Sequence, residues 1–242
     1  MCRRGKKYFG SVVSLWKNSY PYGKIKNKAR SGPTWKKGGI TMEKTNCVYM
    51  VSYMPEPEWE KVPAVELTHT GWLEPCAITA QAKLCRDDNS LWVRMEAVES
   101  PIRSTLTGKL DQVCDDSCLE FFFAPLEGDK RYFNFEFNPL GTMYLGFGAE
   151  RPTRVRQIVK KPEELFRPAP FHTEKGWGLV FRIPAEFVAL YFPGYAFRGE
   201  SGANFYKCGD RTETPHYLAW APLTSPAPDF HRRQDFGKLR FA

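Results

Sequence analysis

Asp115-Asp116-Ser117-Cys118-Leu119-Glu120-Phe121-Phe122-Phe123 is followed, across Pro125-Leu126-Glu127-Gly128-Asp129-Lys130, by Arg131-Tyr132-Phe133-Asn134-Phe135-Glu136-Phe137-Asn138-Pro139-Leu140-Gly141. Two apolar runs around a loop of turn formers predict a β-hairpin. Side chains alternate across a strand, so Phe133, Phe135 and Phe137 share one face, with Tyr132, Asn134, Glu136 and Asn138 on the other. In the first run Leu119, Phe121 and Phe123 share a face opposite Cys118, Glu120 and Phe122. Burying both aromatic rows together requires matching parity, with Glu120 opposite residue 134 or 136. A slip by one would drive Glu120 into the phenylalanine layer. The hairpin therefore has an apolar face for the core and a polar face, carrying Glu120, Asn134 and Glu136, that is the candidate site.

Working outward, strong alternation recurs. Cys47–Tyr53 reads as an opening strand, and Val65–Leu67 as a brief pairing after a proline-held connection. Ala77–Cys85 and Leu91–Ala97 form a second hairpin around Arg86–Ser90, with Trp92 expected as a core anchor. Thr142–Phe147 extends the sheet. Trp177, Leu179, Phe181 and Ile183 alternate up to Pro184. Asn204–Cys208, Tyr217–Trp220 and a segment ending at Phe241 supply further strands. Pro162–Phe166 and Glu186–Leu190 are short helical turns. Many short strands between turn clusters, with no sustained helical period, predict an all-β antiparallel sandwich. At 242 residues, 42% apolar and 15% aromatic, the chain can bury a sizeable core.

The formal charge of +8 is unevenly placed. Residues 1–41 carry eleven Lys or Arg and no acid, while the remainder carries 24 bases against 27 acids. Residues 1–41 have neither strand nor helix periodicity and read as a disordered basic tail, with 42–242 as a single domain. The tail is a solvated extension, an arm for nucleic acid or an anionic surface, or translated sequence upstream of a start at Met42. The body itself gives no reason to expect a nucleic-acid or membrane partner, and no run approaches the ~20 apolar residues of a membrane span. The seven cysteines form no CxxC pair, and Ser11-Val12-Val13-Ser14-Leu15-Trp16 is too short for the apolar core of a signal peptide. Reduced thiols in a cytoplasmic protein are therefore expected.

Catalytic and metal motifs are sparse. The four histidines are scattered, and there is no HExxH, GxSxG or P-loop. Asp115 and Asp116 with loop carbonyls offer the oxygen ligands calcium takes, but their spacing matches no calcium loop, so no cofactor and no metal are expected. Glu120 beside Glu136 would suit glycoside hydrolysis only at ~5 Å or ~6.5–9.5 Å with one pKa raised. A sugar instead requires hydrogen-bonding groups for its hydroxyls and a flat ring for its C–H face. Glu120, Asn134, Lys207, Phe230 and His231 are the residue types that such a site needs.

Asp116-Ser117-Cys118-Leu119-Glu120-Phe121-Phe122, then Tyr132 through Phe137-Asn138-Pro139-Leu140-Gly141, Gly176-Trp177 through Ile183-Pro184, and Asp229-Phe230-His231-Arg232 through Asp235-Phe236-Gly237-Lys238-Leu239 occur in that order. Together they resemble carbohydrate-binding module family 9 and its relatives, over roughly residues 57–241. The resemblance implies a DOMON-like sandwich, with immunoglobulin-like layers, that binds a mono- or oligosaccharide without turning it over. It also implies frequent attachment to glycoside hydrolases. Carried over, sugar contacts fall on Glu120, on Asn134 where Arg is usual, on Lys207, and on Phe230 where a stacking Trp is usual; in the site so formed Lys207 and His231 are expected to be peripheral. A second stacking Trp belongs shortly before Asp116, yet residues 101–115 contain no aromatic. A sandwich that serves as an interaction module without binding sugar, and a glycoside-processing enzyme using Glu120 and Glu136, are the alternatives.

Overall fold

A computed structural model describes residues 47–242, so the reading of residues 1–41 as a disordered tail lies outside the described residues. The strands are β1 (Val48–Tyr53), β2 (Val65–Glu66), β3 (Thr79–Arg86), β4 (Ser90–Val98), β5 (Cys118–Ala124), β6 (Tyr132–Phe137), β7 (Met143–Gly148) and β8 (Val155–Arg156). They continue with β9 (Ala169–Thr173), β10 (Gly176–Pro184), β11 (Gly199–Cys208), β12 (Tyr217–Ala219) and β13 (Gly237–Phe241). Two short helices, α1 (Pro162–Leu165) and α2 (Ala185–Ala189), interrupt them. The strand order is β8-β7-β6-β5-β11-β13-β1-β3-β4-β10-β9, with β12 on β11 and β2 on β3.

This continuous sheet curls over itself. Val48–Val51 of β1 pair with β13, and Ser52–Tyr53 pair with β3, so β1 passes from one layer to the other. Both pairings are parallel. They are a departure from a purely antiparallel sandwich, made where β1 bridges the edge strands β13 and β3 of the two layers. The layers meet through aromatic contacts: the Phe181 ring of β10 lies 4.7 Å from Phe137 and 5.8 Å from Phe135. Phe121 stacks on Phe205 at 5.0 Å. Phe121, Phe133, Phe135 and Trp177 are fully buried. The product is the all-β sandwich expected.

The decisive hairpin has the predicted parity, pairing Glu120 with Glu136, Phe121 with Phe135 and Phe122 with Asn134. Its continuation into β7 turns at Asn138, whose Oδ1 accepts from the Leu140 and Thr142 amides. Gly141 takes a positive φ of 77° there, a conformation that suits glycine. The β3–β4 hairpin is also as expected, except that Trp92 is not a core anchor. Leu91, Val93 and Met95 face the core, while Trp92 lies half-buried on the outer face, its indole N–H donating to Asp87 at 2.7 Å.

Strands β4, β10 and β9 pack closely at Gly178. A Cβ there would overlap the tip of Phe171 and sit 2.8 Å from the Met95 carbonyl oxygen. Phe171 can swing away but the backbone cannot. Gly178→Ala is therefore expected to cost about 1–3 kcal/mol, read as a lowered melting midpoint; an unchanged midpoint would show that the β4 backbone at Met95 yields freely.

Candidate functional site

The polar face of β5, β6 and β7 lies outside the aromatic core and is covered by the chain around residues 151–156 and 229–231. Glu120 and Glu136 face each other across the β5–β6 ladder, and both are nearly sealed from solvent, at 4% and 5% exposure. Asn134 is fully buried and donates from Nδ2 to Glu136 Oε1 at 2.6 Å. Its Oδ1 has no hydrogen-bonding partner among the described residues. Gly146, opposite Asn134 on β7, makes room for that oxygen, since a Cβ there would overlap it.

Burial, then the neighbouring Glu136 charge, push the Glu120 carboxyl well above the usual carboxylate range. Burial pushes Glu136 up to about 7, against the opposing pull of Arg154 and of the Asn134 bond. The folded chain thus keeps a proton on Glu136 that the unfolded chain releases from about pH 4.5. Stability from this group is present below the unfolded pKa and is lost as pH rises to about 7. Glu136→Gln, which cannot ionise, is expected to gain stability relative to wild type at about pH 8 compared with about pH 5. Urea midpoints in a chelator-containing buffer measure this, and a difference independent of pH would contradict it.

Phe230 and His231 form the cover together with Arg154. The Phe230 ring lies flat on Tyr206, the β11 partner of Glu120, at 4.0 Å and 12°. His231 sits over Phe122 at 4.8 Å, and its Nδ1 lies 2.9 Å from the Tyr132 hydroxyl and 2.6 Å from Arg154 Nη1. Burial and the Arg154 and Arg151 charges hold His231 well below the usual imidazole range, so it is neutral. Arg154 and Arg156 lie over the Tyr144 ring at 5.6 and 4.3 Å. His231 also walls a neighbouring cavity of about 530 Å³ with Lys130, Glu150, Glu200, Arg233 and Phe236; neither Glu120 nor Asn134 lines it.

The fold therefore brings Glu120, Asn134, Phe230 and His231 together and leaves Lys207 out. Lys207 pairs with Leu119, on the core side of β11, and is fully buried. Its Nζ lies 2.7 Å from His216 Nε2 and 3.1 Å from Glu99 Oε2. A sugar on the outer face cannot reach it. Asp116 is likewise occupied: its carboxylate accepts from the Thr105 amide and hydroxyl, the Leu106 amide and Asn138 Nδ2, which pins the loop ahead of β5.

No ring stands shortly before Asp116, but a tryptophan from another loop reaches Phe230. Trp72, in the loop after β2, lies 5.5 Å from Phe230 and 5.4 Å from Tyr217, and Tyr217 lies 5.9 Å from Phe230. These three rings make a half-buried aromatic wall beside the acids. A tryptophan within Thr70-Gly71-Trp72-Leu73-Glu74-Pro75, a turn-forming segment, was the only sequence signal for it. Arg154 had no distinguishing signal.

Comparison with known proteins agrees with this architecture. The family model described as carbohydrate-binding family 9 matches residues 58–241. A crystal structure of a Bacteroides uniformis protein proposed to bind carbohydrate is 26% identical, with a TM-score of 0.70 over 81% of this chain and 99% of that one. Family 9 modules from Caldicellulosiruptor kristjanssonii, in complex with cellotriose and with glucose, are each 14% identical with a TM-score of 0.56. They align over 80% and 81% of this chain and 93% and 95% of theirs, and at that identity the likeness is one of fold. Among curated proteins, none matches the chain in sequence.

Proposed function

The chain belongs to carbohydrate-binding family 9, and from that premise we propose that the outer face of β5–β6–β7 binds a mono- or oligosaccharide non-covalently. One observation carries this reading: the buried Asn134 Oδ1 and Arg154 Nε on this face both lack partners among the described residues. A buried acceptor and donor left open cost free energy until something pairs with them. A sugar hydroxyl does both, donating to Asn134 and accepting from Arg154. Glu120 and Glu136 take further hydroxyls, while Phe230 and Trp72 offer ring faces to the C–H surface. Entry requires the Arg154–His231 pair to swing outward. No turnover is assigned to the Glu120–Glu136 pair. Sugars bound by C. kristjanssonii modules of the same fold make glucose and short β-glucans the first ligands to try, in keeping with a role beside enzymes of carbohydrate breakdown.

A second reading, an interaction module without sugar affinity, is favoured by the near-complete burial of Glu120, Asn134 and Glu136 beneath the cover. Calorimetric titration against a panel of mono- and oligosaccharides separates the two. The sugar reading predicts at least one ligand with a millimolar or tighter Kd, weakened about tenfold or more, roughly 1.4 kcal/mol, by Asn134→Ala and by Phe230→Ala. No binding, or binding indifferent to both variants, favours the second.

A further inference from the structure

Cys118 and Cys208 stand directly opposite each other in the β5–β11 register. Glu120, on the same face as Cys118, places Oε1 2.9 Å from the Cys208 sulfur. The two sulfurs and a Glu120 oxygen all lie within 4.8 Å of one another, and all three residues are buried. Cys114 packs against the same cluster and brings a third thiol. Neither Glu120 nor Glu136 forms an ion pair among the described residues; their hydrogen bonds come from a thiol and an amide. Buried carboxylates are ordinarily paired with a cation or bound to a metal ion.

We propose that Cys118, Cys208 and Glu120 form a binding site for one Zn²⁺ ion, with the fourth tetrahedral position on the side of Cys114. Two thiolates select a soft or borderline metal over calcium or magnesium. A tetrahedral zinc with Zn–S of about 2.3 Å sets neighbouring ligand atoms roughly 3.7 Å apart. The present spacing needs only a small adjustment to reach that, and paired strands hold it in place. Binding displaces one proton from each thiol, and the proton of the Glu120 carboxyl, to solvent. The two thiolates balance the charge of the ion and Glu120 would complete the set through one oxygen; the site rests on strand register and does not depend on the sugar reading. A search for CxxC spacing misses it because the two thiols are brought together only by strand register.

The test uses the reduced full chain, stripped with chelator and titrated with zinc against a chromophoric competitor. One equivalent is expected, with affinity reduced about 100-fold or more in Cys118→Ser and Cys208→Ser and unchanged in Cys85→Ser. Cys85 is a buried thiol on β3, away from the cluster. Should the serine variants not fold, cobalt(II) added to the wild-type chain decides: thiolate-to-metal charge-transfer bands for a tetrahedral site support the proposal. Their absence, failure to bind zinc at micromolar levels, or zinc binding unaffected in both serine variants overturns it.

Discussion

Lys207→Ala is expected to destabilise the folded chain by about 3–5 kcal/mol. The Lys207 ammonium is wholly buried and held by the Cys208 carbonyl, His216 Nε2 and Glu99 Oε2. Glu99, 3% exposed, also accepts from Ser117 Oγ at 2.8 Å and Trp177 Nε1 at 2.9 Å. Removing the lysine leaves a carboxylate in the interior with only neutral donors, which costs more than the pair contributed. His216 gives the effect a pH signature. Burial, and then the Lys207 charge, lower its pKa to about 4. In wild type the unfolded histidine takes up a proton below about pH 6.5 while the folded one does not, so stability falls as pH drops through that window. Without Lys207, His216 gains a proton more readily beside Glu99, 3.8 Å away, and partly replaces the lost charge. The defect should therefore be larger at about pH 8 than at about pH 5. Lys207→Met combined with Glu99→Gln should recover much of the loss. Urea unfolding at both pH values measures this; a small, pH-independent change would mean that water already reaches Glu99.

Asp116→Ala is the second large effect, expected at roughly 2–4 kcal/mol. Four hydrogen bonds of 2.7–3.0 Å converge on its carboxylate, from Thr105 twice, Leu106 and Asn138. Burial alone would raise its pKa, but the bonds from Leu106, Thr105 and Asn138 outweigh burial and hold it below the usual carboxylate range. Its contribution is thus present above about pH 4 and is lost as pH falls below that. Alanine releases two backbone amides and frees Asn138, which shapes the β6–β7 turn beside the candidate site. Besides the lower midpoint, new protease cleavage within residues 103–111 is expected. Asp116→Asn, which keeps the shape with weaker bonds, should fall between. Unaltered protease resistance in the alanine variant would show that the loop is held by other contacts.

The central hairpin was legible because its alternation is strict and only one parity buries both phenylalanine rows. The β3–β4 and β10 strands were legible for the same reason. Trp92 could have been read correctly, since Arg94 and Glu96 share its parity and mark that face as the outer one. Lys207 could not. Phe205 and Tyr206 are adjacent aromatics on β11, so alternation does not say which of them faces the core, and that choice decides where Lys207 points. The parallel pairings of β1 leave no local trace: one joins opposite ends of the domain and the other joins β1 to β3 across a long connection. Trp72 joins Phe230, and Cys118 joins Cys208, only through tertiary register. The polar face was thus visible in sequence, whereas its cover, its aromatic wall and its thiols required the fold.

The most direct test of sugar binding on that face is an amide chemical-shift titration of the ¹⁵N-labelled chain with the tightest sugar of the panel. Saturable shifts are expected at Glu120, Asn134, Gly146, Arg154, Phe230 and His231, with Trp72 moving alongside and Lys207 still. Shifts confined to the outer face of β3–β4–β10, or none with any sugar, would contradict it.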